Sequence, residues 1–256
     1  MPDIAVASDG AVTTLTLSRP ERLNALTPAM LDALRAAMAD AVAQGARALV
    51  LTGEGRAFSS GADLAADGGM PQDLGAILAA HYNPLARAMA DLPVPLVTAV
   101  NGPAVGAGMG FALSGDIVVA ARSAYFMLAF ANIGLVPDAG ASWMVARAVG
   151  RPRAMELALL GEQVMAEQAL AMGLINRVVE DDLVLAEAQT LAAKLAAGPT
   201  LALGMIRKQM ALALDTPFSE MLDIEHTNQS QAGRTRDFRE AVTAFAQKRA
   251  PLFEGR

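Results

Sequence analysis

Two glycine-rich turns and one isolated aspartate are the parts of this chain whose residue types and spacing could do chemistry. The first turn reads Gly55-Arg56-Ala57-Phe58-Ser59-Ser60-Gly61-Ala62-Asp63-Leu64, and the second runs from Val100-Asn101-Gly102-Pro103 through Gly106-Ala107-Gly108-Met109-Gly110 to Asp116. Glycines packed where a helix should start leave backbone N–H groups free to point at a ligand, which holds an anion without a charged side chain. Two such donors converging on one point make an oxyanion hole. Asp138 lies in a segment that is otherwise uncharged from Ser123 to Ala146. A carboxylate among apolar neighbours is poorly solvated, its pKa rises, and it then suits a general base or proton shuttle. The same residue also stands where an N-cap for a helix over Ala141 to Val149 belongs, so cap and catalyst are both open on position alone. Asp63 and Asp116 read as carboxylates that tie turns together.

The elements that would position these groups alternate. Val12 to Leu17 alternates as a strand does, Thr27-Pro28 is an N-cap followed by proline at the first helical position, and Leu31, Leu34 and Met38 mark the apolar face of the helix that follows. The stretches Ala48 to Thr52, Leu96 to Val100 and Ile117 to Ala120 are short apolar runs, read as buried strands, and Asp73 to Ala90 has helical spacing ended by Asp91-Leu92-Pro93. Alternating strands and helices predict an α/β core with a mainly parallel sheet. Beyond Gly198-Pro199 the pattern is helical only, over Leu201 to Leu214, Ser219 to Ser230 and Asp237 to Arg249. Its apolar residues Leu201, Met205, Ile206, Met210, Met221, Phe238 and Phe245 either pack on the chain's own core or form a subunit interface.

Composition removes several classes of function. A net charge of −6 and a pI near 5.0 oppose nucleic-acid binding, which needs Lys and Arg to neutralise phosphates. With no cysteine there is no disulfide and no thiolate nucleophile, and the two histidines, His81 and His226, match no metal-ligand spacing. The 54% hydrophobic content does not imply a membrane protein, because prolines, an Asn-Gly turn and glycines interrupt the uncharged run from Leu92 to Gly115. The start, Met1-Pro2-Asp3-Ile4, lacks the basic and apolar regions of a secretory signal, so a cytoplasmic location is expected. Gly106 to Gly110 fails as a dinucleotide fingerprint: the third glycine falls at Phe111, and no acidic residue follows at the ribose position. Gly140-Ala141-Ser142-Trp143-Met144 likewise lacks the last glycine of a nucleophile elbow.

Ala57 to Leu64, Ala99 to Gly108 and Gly134-Leu135-Val136-Pro137-Asp138-Ala139-Gly140 resemble the three signature segments of the crotonase family, the enoyl-CoA hydratases and isomerases. Supporting segments from Arg19-Pro20-Glu21-Arg22-Leu23-Asn24 to Phe245-Ala246-Gln247-Lys248-Arg249 extend the resemblance over nearly the whole chain. It implies an α/β, crotonase-like spiral of ββα turns over residues 1–198 carrying the acyl-CoA site, and a helical trimerisation region over 199–256, in a homotrimer or dimer of trimers. It implies that the N–H groups of Ala62 and Ala107 receive the thioester oxygen, and that Arg22, Ala25, Arg56, Ala57, Phe58, Gly61, Asp63, Leu64 and Gly106 surround the substrate, with Phe245 and Lys248 reaching it from the C-terminal region. Coenzyme A enters as part of the substrate, and no other cofactor and no metal is expected. Hydratases of this family use two glutamates; the matching positions here are Gly110 and Ala129-Phe130. Asp138 stands where isomerases of the family supply a carboxylate. An isomerase is therefore expected ahead of a weak or specialised hydratase or a non-catalytic acyl-CoA-binding protein. Trp143 and Phe130 either line an aromatic acyl pocket or are ordinary core aromatics.

Overall fold

The computed structural model describes residues 3–64 and 73–256. The loop at Ala65 to Asp73, which the family resemblance would make a pocket wall, lies outside the described residues except for Asp73. The chain opens with an antiparallel hairpin, β1 (Ile4–Asp9) and β2 (Val12–Leu17), in which Val6 faces Leu15. Then follow α1 (Pro28–Ala43), β3 (Ala48–Gly53), α2 (Leu74–Ile77), α3 (Asn83–Asp91), β4 (Leu96–Val100), the two-residue β5 (Ala104–Val105), α4 (Ala107–Leu113), β6 (Ile117–Ala121) and β7 (Tyr125–Met127). The remainder comprises α5 (Ala141–Leu160), β8 (Val164–Met165), α6 (Ala166–Ala171), β9 (Arg177–Val179), α7 (Val184–Ala196), α8 (Thr200–Leu212), α9 (Phe218–Ala232) and α10 (Arg236–Ala246).

Among the described residues two sheets form. The larger has the order β1-β2-β3-β4-β6-β9 and is parallel from β2 onward; the smaller, β5-β7-β8, lies beside it. A parallel sheet is covered on both faces, and β3 and β4 are accordingly buried at every residue. Helix α7 packs across β2, β3, β4, β6 and β9, while α1 covers β1 and β2 and touches α3. Thr27 caps α1 as its sequence predicts, its Oγ1 accepting from Met30 N at 3.2 Å.

The helix expected over Asp73 to Ala90 is interrupted. Residues 78–82 form a π turn between α2 and α3, closed where Asn83 N donates to Leu78 O. One extra residue is thereby fitted into a turn without a break in the rod, a change that apolar periodicity does not register.

The C-terminal helices are only half covered by this chain. Met221 is buried, whereas Leu201, Ile206, Met210, Phe238 and Phe245 are exposed, so packing on the chain's own core does not account for them. The tail after α10 folds back on the molecule. Asp237 accepts from Glu254 N at 2.7 Å and Gly255 N at 2.9 Å, and Arg47 beside β3 donates to Gly198 O, Thr200 Oγ1 and Phe253 O at 2.6, 2.8 and 3.0 Å.

Candidate active site

β3 and β4 are neighbours running in the same direction, so the turns that follow them leave the sheet at one edge, where open α/β sheets hold their ligands. The first turn is fastened to residues 19–26. Asn24, wholly buried, donates to Glu54 O (2.9 Å) and Ala57 O (2.8 Å) and accepts from Arg19 N (2.9 Å), while Ser59 Oγ donates to Asn24 O (2.8 Å). Leu26 then pairs with the turn as a strand would: its N–H donates to Gly61 O and its carbonyl accepts from Asp63 N. With those two groups turned toward Leu26, the alternation of an extended backbone turns the Ala62 N–H to the other side.

The second turn is built onto the first. Val105 N donates to Ser59 O, and Ala107 opens α4, so its N–H belongs to the helix start that has no intrahelical partner. Among the described residues, neither the Ala62 nor the Ala107 N–H donates to a protein acceptor. Gly61 lets the turns approach. Its φ is +91°, and a Cβ there would lie 2.8 Å from Val105 O and 3.7 Å from Ala107 N.

Asp138 stands on the loop that abuts α4 at Gly110. The start of α5 shows that it is not the cap: the N-cap is Gly140, and Asp138 contributes only its carbonyl, which accepts from Ala141 N at 2.9 Å. Its Oδ1 is buried and has no hydrogen-bond partner among the described residues. Burial without a compensating bond disfavours the ionised form and pushes the carboxyl up to about 6. A carboxylate that does not cap its helix and has no hydrogen-bond partner among the described residues, yet is half-buried, is a candidate for proton exchange near neutral pH.

Sequence reasoning missed Tyr82 as a site residue. It ends the π turn, is buried, and stacks on Phe111 with centroids 6.2 Å apart at 21°. Burial, then Asp138, then Asp63 push its phenol up to about 12, which places the ring within the field of both carboxylates. The signal was the π turn, invisible to periodicity.

The enoyl-CoA hydratase/isomerase family profile matches residues 7–256. The chain belongs to this family. It is 46% identical over 250 residues to the 1,2-epoxyphenylacetyl-CoA isomerase of Escherichia coli (strain K12), covering 96% of this chain and 95% of that one. It is 45% identical over 245 residues to a "probable enoyl-CoA hydratase" of Rhodobacter capsulatus, with the same coverage. The enoyl-CoA hydratase of Mycobacterium smegmatis superposes with a TM-score of 0.91 at 31% identity over 99% of each chain.

Within this enoyl-CoA hydratase/isomerase fold, the space at Gly110, where the resemblance would put one hydratase glutamate, is filled by backbone. A Cβ on Gly110 would lie 2.9 Å from Ala139 O and 3.0 Å from Ala139 Cβ, so the loop carrying Asp138 occupies the space a side chain would need. The other position is Ala129-Phe130, and Phe130 is buried. Its ring reaches to 3.8 Å from where a Cβ on Gly106 would stand, and its carbonyl accepts from Ile133 N and Leu135 N, anchoring the loop that leads to Asp138.

The other predicted residues are spread around these turns and beyond them. Arg22, Arg56, Ala62 and Leu64 are exposed around the first turn, and Ala25 and Ala57 are buried beneath it. Phe58 and Asp63 do not present free side chains to a ligand: Phe58 is fully buried in the core, and Asp63 pairs with Arg19 at 2.9 Å, which also donates to Ala25 O. Trp143 is no core residue, being 43% exposed under the Arg147 guanidinium, 4.0 Å from the ring centroid. Phe245 and Lys248 stand at the exposed end of α10. Asp116 is structural, accepting from Leu96 N at 2.7 Å and pairing with Arg207. Among the described residues no His, Asp and Glu cluster could hold a metal, and no helix is long and apolar enough to cross a membrane.

Proposed function

We propose that this chain is an acyl-CoA isomerase acting through a thioester enolate, with Asp138 as proton shuttle and the Ala62 and Ala107 N–H groups as oxyanion donors. The observation that carries the reading is the Asp138 carboxylate: half-buried, without a partner at Oδ1 among the described residues, and raised to about 6, in a chain whose resemblance to the family puts Gly110 and Ala129-Phe130 where hydratases carry glutamates. Ionised Asp138 takes a proton from the α-carbon of a 3-enoyl thioester. The electron pair moves onto the thioester oxygen, whose negative charge the two N–H groups stabilise as it forms. The new carboxylic acid returns the proton two carbons away, the double bond moves into conjugation, and Asp138 is again ionised. Hydration needs a group to orient and deprotonate water as well as a proton source for the α-carbon. One carboxylate must then serve for two, which is why the hydratase reading stands second despite the Rhodobacter relative.

The isomerase among the relatives acts on 1,2-epoxyphenylacetyl-CoA by its name. Conversion of that ring epoxide to an oxepin-CoA is the specific reaction proposed here, alongside 3-enoyl to 2-enoyl isomerisation. The proposal extends to coenzyme A contacts at Arg22, Arg56 and the backbone of the first turn, and to a homotrimer or dimer of trimers joined through the exposed apolar side chains of α8 to α10. The deciding experiment incubates the protein with 3-hexenoyl-CoA in deuterated buffer and follows the product by absorbance and mass. The conjugated 2-enoyl product without added water supports the isomerase. Rapid formation of a 3-hydroxyacyl product assigns a hydratase, and no reaction leaves either a narrow substrate range or a binding protein, which a second incubation with the ring epoxide separates.

A further inference from the structure

We propose that the Tyr82 hydroxyl is a specificity-determining donor for an oxygen atom carried by the acyl group, so that oxygenated acyl-CoA thioesters are preferred over purely hydrocarbon ones. The proposal rests on the isomerase reading only in placing the acyl group beside Asp138. The hydroxyl has a poor partner in the protein: Leu26 O at 3.5 Å, the limit of a hydrogen bond, and that carbonyl already accepts from Asp63 N at 3.0 Å. A buried donor without a good acceptor is costly unless a ligand supplies one.

The position of the ring narrows what that ligand atom is. Leu26 is the residue paired with Ala62, so the hydroxyl lies against the segment that bears one oxyanion donor. Phe111, on which the ring stacks, follows Gly110, and Gly110 abuts Ala139 next to Asp138. The phenol is therefore held between the Ala62 segment and the Asp138 loop, where the acyl carbons nearest the thioester would lie. The thioester oxygen already has two backbone donors; a third donor has work only if the acyl group carries an acceptor of its own. Burial and the two carboxylates keep the phenol protonated throughout the range in which the protein would work. A hydrocarbon chain leaves this donor with only its long contact to Leu26 O, and sites built to hydrogen-bond an oxygen discriminate against analogues that lack it.

The test needs no turnover. Dissociation constants of phenylacetyl-CoA, 2-hydroxyphenylacetyl-CoA and 2-methoxyphenylacetyl-CoA are measured by calorimetry for the intact protein and for Tyr82→Phe, which keeps the ring and its stacking on Phe111. The expected result is tighter binding of both oxygenated probes by the intact protein, with the ratio to phenylacetyl-CoA falling about tenfold in the variant, the scale of one hydrogen bond. The methoxy probe can only accept, so its behaviour separates Tyr82 from a bond to Asp138. An unchanged ratio, or equal weakening of all three probes, overturns the proposal. If Tyr82→Phe fails to fold, the intact protein alone decides: no preference for the methoxy probe over phenylacetyl-CoA overturns it. Failure of both 3-hexenoyl-CoA and the ring epoxide to isomerise would instead sink the isomerase reading and leave these ratios interpretable.

Discussion

Replacing Asp138 with asparagine should slow turnover by orders of magnitude and make the fold more stable at neutral pH, and the second effect is the sharper test. Burial raises this carboxyl from 3.8 to about 6. At about 1.4 kcal/mol for each pH unit, holding it ionised costs the folded state about 3 kcal/mol at most. The side chain keeps some contact with solvent, which screens the penalty, so about 1–2 kcal/mol is the expected size. A carboxyl whose folded pKa is raised favours folding fully below its unfolded pKa and loses that contribution as pH rises through 6. The stability of Asp138→Asn minus that of the parent should therefore grow between pH 4.5 and 7 and level off above pH 7. Any constant cost of burying the amide offsets this difference equally at every pH and drops out of its growth with pH. Urea titrations at fixed protein concentration, from pH 4.5 to 8, read it directly. A difference independent of pH, or one that falls as pH rises, would refute the account of Asp138 as a desolvated carboxylate. Isomerisation of 3-hexenoyl-CoA should fall by about 10²–10⁴ in the same variant, the range for loss of a general base.

Other outcomes follow from the same geometry. In the parent protein, kcat/KM for isomerisation should rise with pH through about 6 and reach a plateau, because only ionised Asp138 takes the α-proton; a profile flat from pH 5 to 8 would contradict this. Gly110→Glu should not create a hydratase: its Cβ would meet Ala139 O at 2.9 Å and push the Asp138 loop aside, so isomerisation falls without hydration of crotonyl-CoA appearing. Arg19→Ala removes bonds to Asp63 and Ala25 O beneath the first turn and should cost about 1–3 kcal/mol of stability, measured by denaturant titration, since it leaves a nearly buried carboxylate without that partner. Sedimentation at micromolar concentration should give three or six times 26.5 kDa, and a monomer would remove the case for an interface on α8 to α10.

The parallel core was legible because buried strands are continuous apolar runs: Ala48 to Thr52, Leu96 to Val100 and Ile117 to Ala120 all lie in the larger sheet. The short strands β5, β7, β8 and β9 carry too few residues for any period to show. The two turns were legible from glycine spacing, yet what holds them was not. Asn24 reaches across 33 residues to Ala57 and Arg19 across 44 to Asp63, and pairings over such distances leave no trace in local pattern. Position alone could not separate cap from catalyst at Asp138, because both want an acid just before a helix. That choice depends on the backbone at Ala139 and Gly140, where φ is +50° and +80° and the N-cap place passes to Gly140.

Arg47 has a consequence for how the chain comes apart. Its guanidinium grips Gly198 O and Thr200 Oγ1 on either side of the junction where the sequence divides core from helical tail, and Phe253 O near the far end. A protease that nicks the junction would cut a peptide bond inside a fastened seam. The two fragments should co-elute on gel filtration and separate only in denaturant, so the seam behaves as a buckle rather than a linker.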